Sequence, residues 1–488
     1  MATAQLQQQE LLIGGEWVGA NSDDVFEQHD PYNDESVGVV AAASREDAKA
    51  AADAAAAAFP EWSATSPGQR RDLLTAAADL LAERAEEIAA TATQETGSTF
   101  GFGMFNVGLA TEMLRQAAAQ AYWVTGEVIP SDVPGLTAMG IRQPAGVVLA
   151  IAPWNAPVIL GTRSVATPLA YGNTVVLKAS ENSPRTHAAI ARALADAGLP
   201  PGAINLITHR REDAADVVDE LIAHSAVRRV NFTGSSHVGR LVAENAARHL
   251  KRVLLELGGK APMVVLADAD LDEAVAAAKF GAFMHTGQIC MATERLVVDK
   301  SVADEFTDKL AERAAALKVG DPHDPETQIG PLVNDAATQR VAELIDDATS
   351  QGAEAVTGGK PDGKLFPPTV LRGVTPQMRI YYEESFGPVV PVIPVDGPEE
   401  AVKVANDTEY GLAAAVFGKH VPTAYDLARQ IESGICHING ATVHDEAQMP
   451  FGGVKASGFG RFGGKASIDE FTELRWITIQ EGSRHYPI

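Results

Sequence analysis

The sequence predicts an α/β protein: a parallel β-sheet covered by helices, then a second α/β unit, then a small β arm. Three observations carry this. From Gly146 to Glu256, short apolar runs alternate with helical segments, the pattern of a parallel sheet buried on both faces. After Gly258 a second series of the same style begins, with no sequence repeat linking the two. The end of the chain, Leu474 to Ile479, reads as an isolated apolar strand.

In order along the chain, Leu11 to Val18 is strand-like. The alanine-rich stretch Ser44 to Phe59 carries polar residues at helical spacing, and Gln69 to Thr96 continues as one or two amphipathic helices. In the first series the strands are Val147 to Ile151, Thr174 to Lys178, Ala203 to Ile207, Val227 to Phe232 and Val253 to Glu256. Helices are expected near 158–170, 185–197, 212–223 and 236–248. A sheet of this kind binds its ligand beyond the carboxyl ends of the strands. In the second series Met263 to Leu266 is a strand and Leu271 to Phe283 a helix. The loop carrying Cys290 follows, then strand Arg295 to Val298, a helix from Ser301 to Leu317 and a Pro- and Gly-rich loop from Gly320 to Asn334, with more units to about Gly434.

Composition narrows the function classes. The chain has 488 residues, 46% hydrophobic and 21% charged, as in ordinary soluble proteins of two or more domains. A net charge of -25 argues against nucleic acid or an anionic membrane as partner. Two cysteines make no disulfide framework and fit a reducing compartment. Met1 to Glu10 has no basic residue and no apolar core, so no signal peptide is expected there; no run approaches the length of a membrane span. The expectation is a cytoplasmic enzyme.

Candidate chemistry clusters at glycine- and proline-marked turns. Cys290 lies in His285-Thr286-Gly287-Gln288-Ile289-Cys290-Met291, a polar turn after a helix. It is either a buried small hydrophobe or a nucleophile, and only the thiolate would be competent. Cys436 sits in an apolar strand and reads as structural. Glu256 closes a run of apolar residues before two glycines; it is either paired or a general base whose burial raises its pKa. Asn155, after Pro153-Trp154, either caps the next helix or donates to an oxyanion together with the Cys290 backbone N–H. Phe232-Thr233-Gly234-Ser235 opens a helix whose free N–H groups suit a pyrophosphate, although it is neither a dinucleotide fingerprint nor a P-loop. Lys178 and Glu181 leave the second strand either as solvated ends of a loop or where they can bond ribose hydroxyls, and a carboxylate there disfavours a 2′-phosphate. Glu384 and Phe386 are a further ribose contact and an apolar ring, or an ordinary turn.

At these residues the chain resembles the NAD(P)-dependent aldehyde dehydrogenase superfamily. The resemblance runs nearly the whole length through Pro153-Trp154-Asn155, Lys178-Ala179-Ser180-Glu181, Phe232-Thr233-Gly234-Ser235, Glu256-Leu257-Gly258-Gly259-Lys260, Gly287-Gln288-Ile289-Cys290, Glu384-Ser385-Phe386-Gly387-Pro388 and Pro450-Phe451-Gly452-Gly453. It implies a Rossmann-type NAD-binding domain over 1–122 and 144–256 and a catalytic domain over 257–434. It also implies an oligomerisation arm and C-terminal segment over 123–143 and 435–488, and a homodimer or homotetramer. It implies Cys290 as nucleophile, Glu256 as base and Asn155 as oxyanion donor. Cofactor contacts are implied at Ile151, Trp154, Lys178, Glu181, Gly234, Ser235, Gly239, Leu257, Glu384 and Phe386, with no metal. The stretch Gly434 to Pro450 resembles the branch containing vanillin, benzaldehyde and salicylaldehyde dehydrogenases, which implies an aromatic aldehyde as substrate. Ala156, Arg163, Ile289, Met291 and Phe451 are then the pocket candidates, Arg163 meeting a ring hydroxyl or lying on the surface.

Departures from the family pattern bear on the cofactor. Ala179 replaces the usual proline, and Thr208-His209-Arg210-Arg211 replaces glycines near the cofactor. NAD is favoured by Glu181, whereas the two arginines leave room for NADP. The competing activities are a CoA-acylating enzyme, which needs no hydrolytic base, an aliphatic, semialdehyde or betaine-aldehyde dehydrogenase, and an inactive relative that keeps only the fold.

Overall fold

The computed structural model describes residues 8–488; the expectation of no signal peptide at the N-terminus falls almost wholly outside them. Two large sheets form the body of the molecule. The first orders its strands Gly458–Phe459, Arg252–Glu256, Val227–Thr233, Val147–Ile151, Thr174–Lys178, Ile204–Ile207, Leu11–Ile13, Glu16–Val18. The five central strands run parallel, and the outer ones are antiparallel.

The continuous apolar runs of the central strands are explained by burial on both sides. Val148, Ala150, Val175 and Leu177 enter one apolar cluster, while Val147, Leu149, Ile151 and Val176 enter another. Successive residues point to opposite faces. Helices α1 (Arg45–Ala64), α2 (Pro67–Glu83), α3 (Ala85–Thr96), α4 (Phe100–Gln120), α5 (Pro157–Ala170), α6 (Pro184–Asp196), α7 (Ala214–Ala223) and α8 (Ser236–Arg248) supply the covering layers. Val158, Val165, Ile190 and Leu194 pack on the first face; Ala51, Ala55, Val217, Leu221 and Val242 pack on the second.

Local signals explain most boundaries. Ser44 and Asp47 close a capping box at the start of α1, and Ser66 and Gln69 do the same for α2, with Pro67 at its first turn. The expected 69–96 segment divides at Arg84 into α2 and α3, and Gly97, at φ 70°, ends α3. Gly101, Gly103 and Gly108 mask α4 from helix propensity. At Gly103 a Cβ would lie 2.9 Å from the Ala89 backbone, so the glycine lets α4 press against α3.

The first sheet has its switch point between Val147–Ile151 and Val227–Thr233, because the chain fills strands outward on one side before returning to the other. Both strands end in the expected polar turns, Pro153-Trp154-Asn155 and Gly234-Ser235.

The second sheet orders Glu354–Thr357, Thr369–Arg372, Val389–Val395, Thr293–Asp299, Ala261–Val265, Ala413–Phe417, Ile435–Ile438. All but the Glu354–Thr357 edge run parallel. Helices α9 (Leu271–Phe283), α10 (Ala303–Ala315) and α11 (Asp335–Ser350) belong to this unit. Ile435–Ile438, which the sequence groups with the C-terminal segment, completes the second sheet, and Gly458–Phe459 joins the first. Ile435–Ile438 pairs with the preceding strand, Ala413–Phe417, whereas the partner of Gly458–Phe459 comes from far earlier in the chain, where local pattern does not point.

A third sheet stands apart. Thr472–Gln480 pairs antiparallel along its whole length with Leu136–Pro144, which also pairs Glu127–Ile129. The apolar strand Leu474 to Ile479, isolated in the sequence, thus finds its partner in Leu136–Pro144. Among the described residues, no helix is long and apolar enough to cross a membrane.

Candidate active site

The chain passes from the first sheet to the second in four residues, Leu257 to Lys260. Glu256 is the last residue of the first sheet and Ala261 the first of the second, so any group on this turn lies in the seam between units. The Cys290 loop leads into Thr293–Asp299, the neighbour of Ala261–Val265, and so meets the same seam. A Cβ at Gly259 would stand 2.4 Å from the Cys290 carbonyl oxygen; only glycine lets the crossing turn touch the loop. A cavity of about 410 Å³ opens there, bordered by Asn155, Glu256 and Cys290 at one end and by Glu181, Ser235 and Glu384 elsewhere.

The segment before Cys290 is held in an uncommon conformation. His285, Thr286 and Gly287 all have left-handed φ angles, 49°, 57° and 71°. For a β-branched threonine this is strained, and it persists only where surroundings enforce it. The enforcing contacts are specific. Thr286 Oγ1 donates to Gly330 O at 3.1 Å, and the Val333 N–H donates to Gln288 Oε1 at 3.0 Å. The His285 ring stacks on Phe102 at 4.3 Å; burial pushes its pKa down to about 3, so it is neutral. At Gly287 a Cβ would lie 2.2 Å from Gly387 O.

Asn155 does not cap α5. Ala156 occupies the cap position with no side-chain bond, and the Asn155 carboxamide instead donates to Gln288 O at 2.9 Å. One of its two N–H donors is thereby fixed and the other remains for a ligand beside Cys290.

Glu256 is buried, and neither carboxyl oxygen has a hydrogen-bond partner among the described residues. Burial pushes its pKa up to about 8; the Arg163 guanidinium and the nearby Cys290 thiol oppose that shift without completing a hydrogen bond. Burial, and then the Glu256 charge, push the Cys290 thiol well above its ordinary value, although its side chain remains partly open to the cavity. Acid and thiol each disfavour the other's ionisation, so only one readily carries charge at a time.

The far wall is tied to this centre by one carboxylate. Lys260 Nζ and Glu294 pair at 2.7 Å, both buried. Glu294 also accepts from Ser385 N, Ser385 Oγ and Phe386 N at 2.8–3.1 Å. This fixes Glu384, whose Oε1 accepts from Gly259 N at 2.8 Å, and Phe386, whose ring meets Trp154 edge-on at 5.9 Å. Burial, with Glu294 nearby, pushes the Glu384 pKa up to about 7.

A nucleotide cofactor fits the rest of the cavity. Gly234 and Ser235 border it at the start of α8, where Ser235 Oγ accepts from Val238 N; the first-turn N–H groups suit a phosphate. Glu181, Glu384, Trp154 and Phe386 also border it. Ile151, Lys178, Gly239 and Leu257 are set back from that wall. Ile151 and Leu257 are core residues, and Gly239 leaves room for Leu257, since a Cβ would lie 2.4 Å from Leu257 Cδ2. Lys178 is buried without an ion pair among the described residues. Of the departing segment, Thr208 and His209 are buried, Arg210 pairs with Asp24, and Arg211 alone borders the cavity.

The pocket candidates divide. Ala156 packs against the main core, in which Ile289 and Met291 are buried on either side of Cys290, while Leu160, not among the candidates, borders the cavity. Arg163 is not on the surface. It is buried, paired with Asp445, and lies 4.1 Å over the ring of Phe451. The sequence reading missed Val333, Asn334, Ala337 and Arg340, which border the cavity from the start of α11; Arg340 donates to Glu384 O at 2.6 Å. Asn334, an N-cap residue at the end of the Pro- and Gly-rich loop, was the available signal.

Known proteins resemble this chain over nearly its whole length. The model of the aldehyde dehydrogenase family matches residues 17–477. A vanillin dehydrogenase from a Pseudomonas species is 58% identical over 98% of this chain and 99% of that protein. The crystal structure of a salicylaldehyde dehydrogenase from Pseudomonas putida G7, complexed with salicylaldehyde, superposes with a TM-score of 0.97 at 44% identity, covering 99% of this chain and 100% of that one. A betaine aldehyde dehydrogenase from Staphylococcus aureus, in complex with NAD+, gives 0.95 at 34% identity, covering 99% and 96%.

Two outcomes follow from the buried charges. Lys260→Met strands the Glu294 charge and is expected to cost about 3–5 kcal/mol in denaturant unfolding, with much of the loss recovered in Lys260→Met/Glu294→Gln, which removes the charge but keeps an acceptor for Ser385 and Phe386. For Glu256, the native pKa of about 8 exceeds the ordinary 4.5. Between those values the native state holds a proton that the unfolded state has lost, so this group's contribution to stability falls as pH rises through that window. Glu256→Gln removes the effect: its melting temperature should gain on wild type from pH 4.5 to 8 and hold a constant margin above. A margin independent of pH counts against the raised pKa.

Proposed function

The chain belongs to the aldehyde dehydrogenase family, and on that premise we propose that it oxidises an aromatic aldehyde, of vanillin or benzaldehyde type, to its carboxylic acid. It is an oxidoreductase acting on aldehydes with NAD(P)+. The observation that carries the mechanism is the convergence of a thiol, a carboxamide and an unpartnered carboxyl on one cavity.

The Cys290 sulfur, as thiolate, bonds to the carbonyl carbon. The free N–H of Asn155 and the Cys290 backbone N–H hold the oxygen as it takes up negative charge. A bound nicotinamide dinucleotide supplies the acceptor for the hydride that leaves that carbon, and Cys290 is left as a thioester. Glu256, ionised, takes a proton from water; the oxygen bonds to the thioester carbon, and the C–S bond breaks to return the thiolate and release the acid. Burial of Glu256 matches its basicity to this task. A hydrolytic base beside the thioester also argues against a CoA-acylating enzyme. Trp154, Glu181, Glu384 and Phe386 border the cavity and would hold the dinucleotide, with Glu181 favouring NAD over NADP by repelling a 2′-phosphate and Arg211 opposing it.

The substrate class rests on the relatives: the vanillin and salicylaldehyde dehydrogenases match nearly the whole chain. The apolar wall of Met113, Ile159 and Leu160 supports a ring over a charged semialdehyde or betaine aldehyde. The strand pair Thr472–Gln480 and Leu136–Pro144 supports a homodimer or homotetramer, since Val128 and Trp476 each remain 76% exposed on this sheet. The two unlinked cysteines support a cytoplasmic location.

Benzaldehyde and vanillin should be turned over with NAD+ in preference to NADP+, and succinic semialdehyde poorly. In Glu256→Gln, a burst of one reduced cofactor per site should survive while steady turnover is lost. In Asn155→Ala the burst itself should slow by about 10²–10³. Unchanged steady turnover in Glu256→Gln rejects Glu256 as the base. Trp476→Asp should lower the mass seen by sedimentation; an unchanged mass removes this sheet from the interface.

A further inference from the structure

A second charged pair lies buried beside the reacting groups, and no step above uses it. Arg163 and Asp445 pair with each other, their side chains 7% and 9% exposed. Asp445 Oδ2 takes the guanidinium; Asp445 Oδ1 is buried and has no hydrogen-bond partner among the described residues. A buried carboxylate oxygen without a donor is costly, and a ligand that brings a donor removes that cost.

The pair's position suggests the ligand. Ala156, Leu160 and Arg163 form one stripe along the start of α5, next to Asn155. Leu160 borders the cavity with Cys290 and Glu256, and Arg163 is the next turn along, so Ala156 to Arg163 spans about 10 Å. Met113, Ile159 and Leu160 pack together there, with Ala156 and Ala447 against them. A small hollow of about 20 Å³, bordered by Arg163, Ala447, Met449 and Phe451, adjoins the guanidinium. From the thiol outward the order is therefore nucleophile, apolar wall, then an acceptor oxygen held by an arginine. The charges of Arg163 and Asp445 both reach Cys290 and Glu256, which keeps the pair within the site.

We propose that the Arg163–Asp445 pair is the subsite for a hydroxyl on the aldehyde's ring: the phenolic O–H donates to Asp445 Oδ1, and Arg163 holds that carboxylate in place. Asp445 is then a specificity-determining residue and Arg163 its positioning residue. This rests on the aromatic-aldehyde reading and names the ring substituent. A methoxy group in the same place has no proton to give.

The test compares kcat and KM for benzaldehyde, 3- and 4-hydroxybenzaldehyde and their methoxy counterparts. In the wild-type enzyme the better hydroxybenzaldehyde should exceed its methoxy counterpart by roughly 10- to 100-fold in kcat/KM, mostly through KM. In Arg163→Met/Asp445→Leu, which removes both charges together, that ratio should fall to about one. Equal values in the wild-type enzyme, or a ratio unchanged in the double variant, overturn the subsite. The wild-type comparison decides the matter even if the double variant does not fold. Benzaldehyde separates the two levels: its turnover without a hydroxyl preference sinks only the subsite, whereas no turnover of any aromatic aldehyde sinks the underlying reading.

Discussion

One buried carboxylate, Glu294, governs how the two halves of the active site meet. It neutralises Lys260 at the end of the crossing turn and takes the backbone and hydroxyl donors of Ser385 and Phe386. Without those donors a charge so deep would be expensive. With them, the turn that follows Glu256, the strand that follows Cys290 and the loop that carries Glu384 are fixed to one atom group. The rest of the site inherits its spacing from this junction: Gly259 touches the Cys290 carbonyl on one side and donates to Glu384 on the other.

Strain and order are concentrated next to it. Three consecutive left-handed residues bring Cys290 out of α9 and turn it toward the cavity. Their cost is met by the fully buried Gln288, which is held from three directions by His285, Val333 and Asn155. The Asn155 contact ties its carboxamide to the Cys290 loop, so the roles proposed for the two need no rearrangement when substrate arrives.

The electrostatics are those of a dry site. Glu256 and Glu384 both titrate far above ordinary carboxylates because burial removes water from them, and the Cys290 thiol is raised by the same cause. Arg163 is the positive charge that tempers both Glu256 and Cys290, while Asp445 limits that effect. The pair proposed above for a ring hydroxyl thus also acts electrostatically on Glu256 and Cys290.

Alternation of apolar runs and helices made both parallel sheets legible, because strands buried on two faces cannot avoid continuous apolar sequence. The turn residues Pro153-Trp154-Asn155, Gly234-Ser235 and Glu256-Leu257-Gly258-Gly259 were legible too, since their chemistry is local. The family resemblance rested on those same turns. What adjacency alone could not reveal lies in pairs distant in sequence: Gly458–Phe459 joining the first sheet, Arg340 beside Glu384, Arg163 buried against Asp445, and the Asn155 carboxamide turned from its own helix to Gln288. The sequence by itself determined the elements, the reactive side chains and the family. Only the tertiary structure decided which charges were buried, which donors were already used and which remained free, because burial and hydrogen bonding are properties of neighbours that the fold brings together, not of residue order.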